Sequence, residues 1–256
     1  MFTRAIVRPP SSNFAEGLTT VDLGWPDYDR AVEQHEAYCN ALEQCGLNLI
    51  RLDADERYPD STFVEDTAVL TGHGAVLTRP GASSRIGEVS AIARTLSNFY
   101  QDLHAITPPG TLDGGDVCEA GTHFFIGVSD RTNEAGAHQL ATMLASFGYT
   151  SSIVDIRGVK GILHLKSGIA WLNEGHLVVI DELCKRTEFR DFAILRVPAG
   201  EEYAANCVQV NEQVLVAAGF PASERMLQGA GYQTPALEMS EFQKMDGGLS
   251  CLSVRW

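Results

Sequence analysis

One pattern recurs along this chain and limits what it can fold into. Four stretches, 63–78, 112–127, 163–180 and 204–217, each open with small or polar residues. Each continues into a short apolar strand, turns tightly and runs into a second apolar strand, the signature of a β-hairpin. A fifth stretch, 247–256, opens the same way but runs out of chain after one strand. Its missing partner is expected in the segment 2–7, since pairing the two ends would close a ring and remove exposed sheet edges.

Helices and further strands fall between the hairpins. Over residues 26–46 the apolar side chains of Tyr28, Val32, His35, Cys39 and Leu42 keep a three-to-four spacing, and Pro26 and Gly46 punctuate the start and end of a helix. Helices are also predicted over about 88–100 and 133–147, with a turn or two near 187–192 and a short helix over 223–229. Strand candidates lie at 5–7, 47–52, 105–108, 152–155, 193–197 and 236–239. The unit is strand, strand, helix, strand, recurring roughly every 40–50 residues, a period typical of rings and arrays. Five such units predict a five-fold pseudosymmetric α/β propeller around a central active-site channel, a single catalytic domain over residues 1–256 closed by its N- and C-terminal strands. A generic α+β sandwich with coincidental hairpins is the competing fold.

If the units are equivalent, the polar residues at the hairpin entrances occupy equivalent points around one axis. They are Glu65 and Asp66, Asp113 and Asp116, His164, Asn206 and Cys251. A nucleophile, an acid/base and several carboxylates then converge on one cavity. Individually each is weak: a lone histidine is more often structural, an aspartate beside glycine commonly stabilises a turn, and Cys207 competes with Cys251 as the reactive thiol. Cys118 and Cys207 lie deeper in their strands and read as small core hydrophobes. Gly247 and Gly248, just before Cys251, remove side-chain bulk where backbone and ligand must approach closely.

Composition decides what such a cavity would hold. A formal net charge of −14 and a pI near 4.8 argue against nucleic acid or an anionic membrane as partner and suit a small cation. The six cysteines, at 39, 45, 118, 184, 207 and 251, show no CxxC spacing, and the seven histidines do not pair at ligand spacing. Neither zinc nor a disulfide framework is expected. The N-terminus has no apolar core of a secretory signal and no run reaches the length of a membrane span, so reduced thiols in a cytoplasm are expected.

Seven motifs together resemble the dimethylarginine dimethylaminohydrolases, a family of the guanidino-modifying, pentein-type propeller superfamily. They are Asp60-Ser-Thr-Phe-Val-Glu65-Asp66, Thr78-Arg-Pro-Gly-Ala-Ser-Ser-Arg85, Thr111-Leu-Asp113-Gly-Gly-Asp116, Arg131-Thr-Asn, Leu163-His164-Leu-Lys-Ser, Tyr203-Ala-Ala-Asn-Cys and Asp246-Gly-Gly-Leu-Ser-Cys251. The resemblance covers nearly the whole chain, from Gly17-Leu18-Thr-Thr to the final strand. It implies hydrolysis of Nω-methylated L-arginine, mono- or dimethylated, to L-citrulline and a methylamine through a covalent thiouronium on Cys251, without metal or organic cofactor. By the family pattern His164 is the general acid and then base, and Asp66 and Asp113 hold the guanidinium with Glu65 alongside. Arg85 and Arg131 clamp the α-carboxylate, Asp60 and the Leu18 carbonyl hold the amino end, and Met245 contributes its backbone. A homodimer is compatible with the sequence.

The nearest alternative is an arginine deiminase-like hydrolase acting on unmethylated arginine or another guanidino compound. Those relatives carry an acidic residue two positions after the catalytic histidine, where this chain has Lys166, and Asp113 stands where some relatives have glutamate. A non-catalytic propeller binding module would lack the convergent cysteine, histidine and carboxylates. A papain-like protease would carry its cysteine upstream of its histidine.

Overall fold

The computed structural model describes the chain from Met1 to Trp256, the side chain of Glu174 excepted. Strand β1 (Arg4–Val7), helix α1 (Tyr28–Gln44) and strand β2 (Asn48–Arg51) precede the first hairpin. Asp27 starts α1 by accepting the Arg30 N–H at 3.0 Å, which satisfies an otherwise open donor. Gly46 ends it with φ +90°, a left-handed conformation that glycine takes at least cost. The buried face of α1 is Ala31, Gln34, His35, Tyr38, Cys39, Ala41 and Leu42. It is rotated from the expected stripe, so Tyr28 remains 40% exposed.

Three complete units follow, with a fourth that is shortened. They are β3 (Ala68–Leu70), β4 (Ala75–Leu77), α2 (Val89–Leu96) and β5 (Leu103–Ala105); then β6 (Val117–Ala120), β7 (His123–Val128), α3 (Glu134–Ser146) and β8 (Thr150–Asp155). Next come β9 (Ile169–Leu172), β10 (His176–Val179), a single 3-10 turn at Thr187–Phe189 in place of a helix, and β11 (Ala193–Arg196). The last complete unit is β12 (Val208–Val210), β13 (Gln213–Ala217), α4 (Pro221–Gly229) and β14 (Ala236–Leu237), after which α5 (Ser240–Gln243) leads to β15 (Val254–Arg255). Within every unit the first strand is antiparallel to the second and the second parallel to the third.

The ring closes as the repeat requires. β1 is antiparallel to β15, with Ala5 opposite Arg255 and Ile6 opposite Val254, and parallel to β2. The result is five three-stranded sheets, a five-bladed α/β propeller. Its apolar core is divided into four clusters packed between blades, with Phe14, Tyr38, Phe124, Phe125, Phe189 and Phe242 among the fully buried side chains. Among the described residues, no helix is long and apolar enough to cross a membrane.

The differences from expectation have local causes. The helix expected over 88–100 ends at Leu96, where Ser97 Oγ and Asn98 Nδ2 donate to the Arg94 carbonyl at 2.8 and 3.3 Å and compete for its last acceptors. Its first turn is a 3-10 segment, Ser83–Glu88. The strand expected at 105–108 runs over Leu103–Ala105 instead, because the pairing ends once the Ile106 N–H reaches the Leu77 carbonyl and the chain turns through Pro108 and Pro109. Helix α5, only four residues long, is too short to show a period in sequence.

Candidate active site

Each innermost strand is preceded by a single 3-10 turn. These are Val64–Thr67, Gly114–Asp116, Leu165–Ser167, Glu202–Ala205 and Ser250–Leu252. They pack round the axis and form a thin diaphragm across it. The two glycines of the second turn make that packing possible. A β-carbon on Gly114 would lie 2.0 Å from the Glu65 carbonyl, and one on Gly115 would lie 2.8 Å from the His164 ring and 2.9 Å from the Asp66 carboxylate.

Adjacent residues of a turn face opposite sides of the diaphragm. Asp66, Asp113 and His164 cluster together, with one ligand atom of each within 4.8 Å of the others, and the Cys251 thiol feels the charges of both Glu65 and Asp66. A cavity of about 400 Å³ has a lining that includes Glu65, Lys166, Ser250, Cys118 and Cys207. Neither Cys251 nor His164 lines this cavity.

The polar cluster is tightly bonded. His164 Nε2 is 3.0 Å from Asp113 Oδ2, while Asp113 Oδ1 accepts the Gly81 N–H at 2.8 Å. Asp113 therefore orients the histidine, and both of its oxygens are engaged. Asp116 accepts the Leu165 N–H at 2.9 Å and the Ser129 hydroxyl at 2.6 Å, which fixes the turn immediately after His164. Burial alone would lower the His164 pKa, but Asp66, Asp116 and Asp113 outweigh it and raise it to about 9. The ring is an imidazolium at neutral pH.

Asp66 accepts the Gly115 N–H at 2.9 Å and Arg85 Nη1 at 2.6 Å. Burial opposes its ionisation, and His164 and Arg85 restore it, holding the group below the usual carboxylate range. Cys251 is half-buried, and its N–H bonds the Gly248 carbonyl at 3.2 Å. Burial, then the nearby Glu65 and Asp66 carboxylates, push its thiol up to about 12. Before any cation arrives the sulfur is therefore a neutral thiol. Asp66 interacts electrostatically with both His164 and Cys251.

The fourth entrance contributes a clip rather than chemistry. Asn206 accepts the Ser250 N–H at 2.9 Å and donates to Ser250 Oγ and the Lys166 carbonyl at 3.1 and 3.0 Å. Gly248 packs on its side chain, where a β-carbon would come within 2.5 Å, and Gly247 packs on the Phe63 ring, at 2.3 Å. Close approach is thus what these two glycines serve, against protein side chains. Tyr203 adds a bond from its hydroxyl to the Gly247 carbonyl at 2.8 Å. Cys207 lies on the cavity side of the diaphragm, and burial pushes its thiol up to about 12.

The other expected site residues divide into engaged and free. Glu65 is paired with Lys166 at 2.5 Å, accepts the Ser250 hydroxyl at 2.8 Å and lies 3.7 Å from Arg255. Its carboxylate is thus engaged by Lys166, Ser250 and Arg255. Arg85 is buried, with bonds to Asp66, to Glu88 at 2.9 Å and to the Phe63 carbonyl at 3.0 Å. It is first a structural cation that leaves little of its fork for a ligand. Arg131 is half-buried, and its guanidinium makes no hydrogen bond or ion pair among the described residues, although Asp60 feels its charge. Asp60 is buried and accepts the Leu18 N–H at 3.0 Å, and Met245 is buried beside Gly17.

Lys166, Ser250 and Tyr203 stand inside the motifs without an assigned role, and Glu88 lies outside them; the fold adds these four to the site as residues that hold it together. Asp66, Asp113 and His164 also bring three ligand atoms within 4.8 Å of one another. Arg85 and the His164 proton already engage two of these three groups, a poor setting for a metal ion.

Removing Arg85 should be costly. Arg85→Met would leave Asp66 and Glu88 buried without their cation, and we expect about 3–5 kcal/mol of lost stability in urea unfolding. A loss below about 1 kcal/mol would show that the network is not structural.

A family model described as arginine deiminase matches residues 56–220. The N(G),N(G)-dimethylarginine dimethylaminohydrolase of Pseudomonas aeruginosa is 43% identical over 257 residues, with 100% of both chains covered. The protein of the same description from Streptomyces coelicolor is 35% identical and covers 98% of this chain and 96% of its own. The solved structure of a cysteine-to-serine variant of the Pseudomonas aeruginosa protein, complexed with citrulline, matches with a TM-score of 0.97 at 42% identity and covers 100% of each chain. The N-terminal domain of ArgZ, a cyanobacterial arginine dihydrolase, matches with a TM-score of 0.87 at 19% identity over 98% of this chain and 96% of its own, a likeness of fold.

Proposed function

The chain belongs to the dimethylarginine dimethylaminohydrolase family, and on that premise we propose a mechanism in which Cys251 is the nucleophile and His164 the proton donor. The enzyme hydrolyses dimethylarginine to citrulline and dimethylamine, cleaving a C–N bond of a linear amidine. The single observation that carries the mechanism is the cluster of His164, Asp113 and Asp66, whose ligand atoms lie within 4.8 Å of one another, with the Asp66 charge felt at the Cys251 thiol.

A guanidinium stays ionised at any physiological pH and is a poor electrophile. Burying it requires an anionic partner, which Asp66 supplies. Its arrival brings positive charge to the half-buried thiol, lowers its pKa and releases its proton to solvent. The Cys251 thiolate attacks the guanidinium carbon and forms a C–S bond. Collapse of the tetrahedral adduct breaks the bond to the dimethylamino nitrogen, which takes the His164 proton as it leaves. Water then attacks the thiouronium carbon and neutral His164 takes one of its protons; the C–S bond breaks, the remaining hydroxyl proton passes to the departing sulfur, and the ureido group of citrulline and the Cys251 thiol result. Asp113 holds the imidazole through both steps.

Arg131 takes the α-carboxylate, since of the two expected arginines it is the one whose guanidinium makes no hydrogen bond or ion pair among the described residues, and Asp60 with the Leu18 carbonyl takes the ammonium. Arg131→Ala is expected to raise KM roughly 10–100-fold, the worth of a charge-assisted pair, with stability within about 0.5 kcal/mol. An unchanged KM would remove Arg131 from the substrate site. Because the site draws on turns of all five blades, residues 1–256 act as one catalytic unit. Six free cysteines fit a reducing, cytoplasmic setting.

The ion pair of Lys166 with Glu65 favours this reading over a deiminase-like one, because an acid at position 166 would meet Glu65 with like charge. The test is incubation with arginine, monomethylarginine and dimethylarginine, with citrulline and released amine measured. The methylated forms should be consumed preferentially. Ammonia from plain arginine as the main product would overturn the substrate assignment.

A further inference from the structure

Residues 17–25 form an irregular segment beside the site, with Leu18 41%, Leu23 53% and Trp25 78% exposed. So exposed a segment has little apolar burial to hold it in place. It is nonetheless tied down at four points. The Leu18 N–H reaches Asp60 Oδ1 at 3.0 Å, and Thr19 Oγ1 donates to the Lys244 carbonyl at 3.0 Å. Thr20 donates its N–H to Asp246 Oδ2 at 2.5 Å and its hydroxyl to the same carboxylate at 3.0 Å. Lys244 Nζ reaches the Trp25 carbonyl at 3.3 Å.

Three of these four ties end on Lys244 and Asp246, in the turn that runs directly into Gly247, Gly248 and Cys251. Asp246 itself has φ +56°, a left-handed conformation that glycine would adopt at lower cost. The backbone therefore has no need of a carboxylate at this position, and the only side-chain bonds the carboxylate makes among the described residues go to Thr20. Val21 and Leu23 roof a second cavity, of about 160 Å³, whose lining includes Asp246, Gly248, Asn206 and Tyr203.

We propose that Asp246 is a positioning residue, a latch whose carboxylate captures Thr20 and holds segment 17–25 closed over the amino-acid end of the substrate. The proposal rests on the methylarginine hydrolase reading. Closing the segment places Leu18 against Asp60, where the substrate ammonium is held. Opening it releases citrulline. The latch acts on substrate retention and product release, while the chemical step belongs to Cys251 and His164.

The test pairs Asp246→Gly, which keeps the backbone conformation, with Thr20→Val, which lies in the exposed segment and removes only the hydroxyl. Asp246→Gly is expected to raise the KM for dimethylarginine roughly tenfold, the worth of a charge-assisted hydrogen bond, with the single-turnover rate at saturating substrate within about twofold. Thr20→Val should move KM in the same direction by less, and the double variant should be no worse than Asp246→Gly alone. Asp246→Asn, which tolerates positive φ and still accepts the Thr20 N–H, should recover part of the loss. Limited chymotrypsin cleavage near Leu23 and Trp25 should accelerate with the same ranking in enzyme without substrate.

Unchanged KM and unchanged cleavage in both single variants would overturn the proposal. So would a fall in single-turnover rate at constant KM, which would mean that Asp246 acts on the nucleophile turn alone. Should the native enzyme form no citrulline, the hydrolase reading fails, and the cleavage ranking still decides whether the latch exists.

Discussion

Cys251→Ser should reduce citrulline formation by at least about 10⁴-fold, on the scale seen when a catalytic nucleophile is removed. A serine hydroxyl needs a base to become nucleophilic. The site offers none at neutral pH, because His164 is raised to about 9 and holds its proton. The thiol escapes this requirement because a bound cation can lower its pKa into range from about 12, whereas a hydroxyl starts too high. The variant should keep its fold and still bind citrulline by calorimetry. Cys207→Ser is the matching control: that thiol lines the axial cavity on the far side of the diaphragm, and its loss should leave the rate within about twofold.

His164→Gln is expected to cost roughly 10²–10⁴-fold in kcat, the usual worth of positioned proton transfer. The pH profile gives a sharper signature. The transition state needs a thiolate and an imidazolium, one proton between the two groups. With His164 at about 9 and Cys251 at about 12, the free enzyme carries two protons on this pair at neutral pH. One must be lost on the way to the transition state, so kcat/KM should rise about tenfold per pH unit toward pH 9 and level there. In His164→Gln the break near pH 9 should vanish. A native profile flat from pH 6 to 9 would mean that the thiol is already ionised before substrate binds.

Much of the fold was legible because the repeat is written at two levels. The hairpins fall at regular intervals, and each opens with polar residues that become a 3-10 turn at the axis. Pairing of the two terminal strands followed from the fifth unit lacking a second strand, and β1 supplies it. Boundaries were less legible where side chains decide them, as Ser97 and Asn98 do at the end of α2.

In the site, Cys251, His164, Asp113 and Asp66 stood out, with Glu65, Asp116 and Asn206, because they hold matching positions in the repeat, and the family resemblance gave them their expected roles. Orientation could not be read. Glu65 and Asp66 are neighbours in one turn, and nothing in the sequence says that Asp66 faces the imidazolium while Glu65 meets Lys166 on the other side. Arg85 and Arg131 look equivalent as loop arginines. Only the fold reveals that Glu88 and Asp66 surround one, while the guanidinium of the other makes no hydrogen bond or ion pair among the described residues. Asn206 held the expected position, yet its amide is consumed by Ser250 and Lys166, so it braces the nucleophile turn.

The covalent step is tested most directly by acid-quenching the enzyme during steady turnover of dimethylarginine and measuring the mass of the peptide that contains Cys251. A thiouronium adduct on Cys251 is predicted, equal in mass to the substrate less dimethylamine, and it should decay to free thiol as citrulline appears. Citrulline forming at full rate while that peptide stays unmodified at every quench time, in an enzyme whose Cys251→Ser variant remains active, would contradict the account.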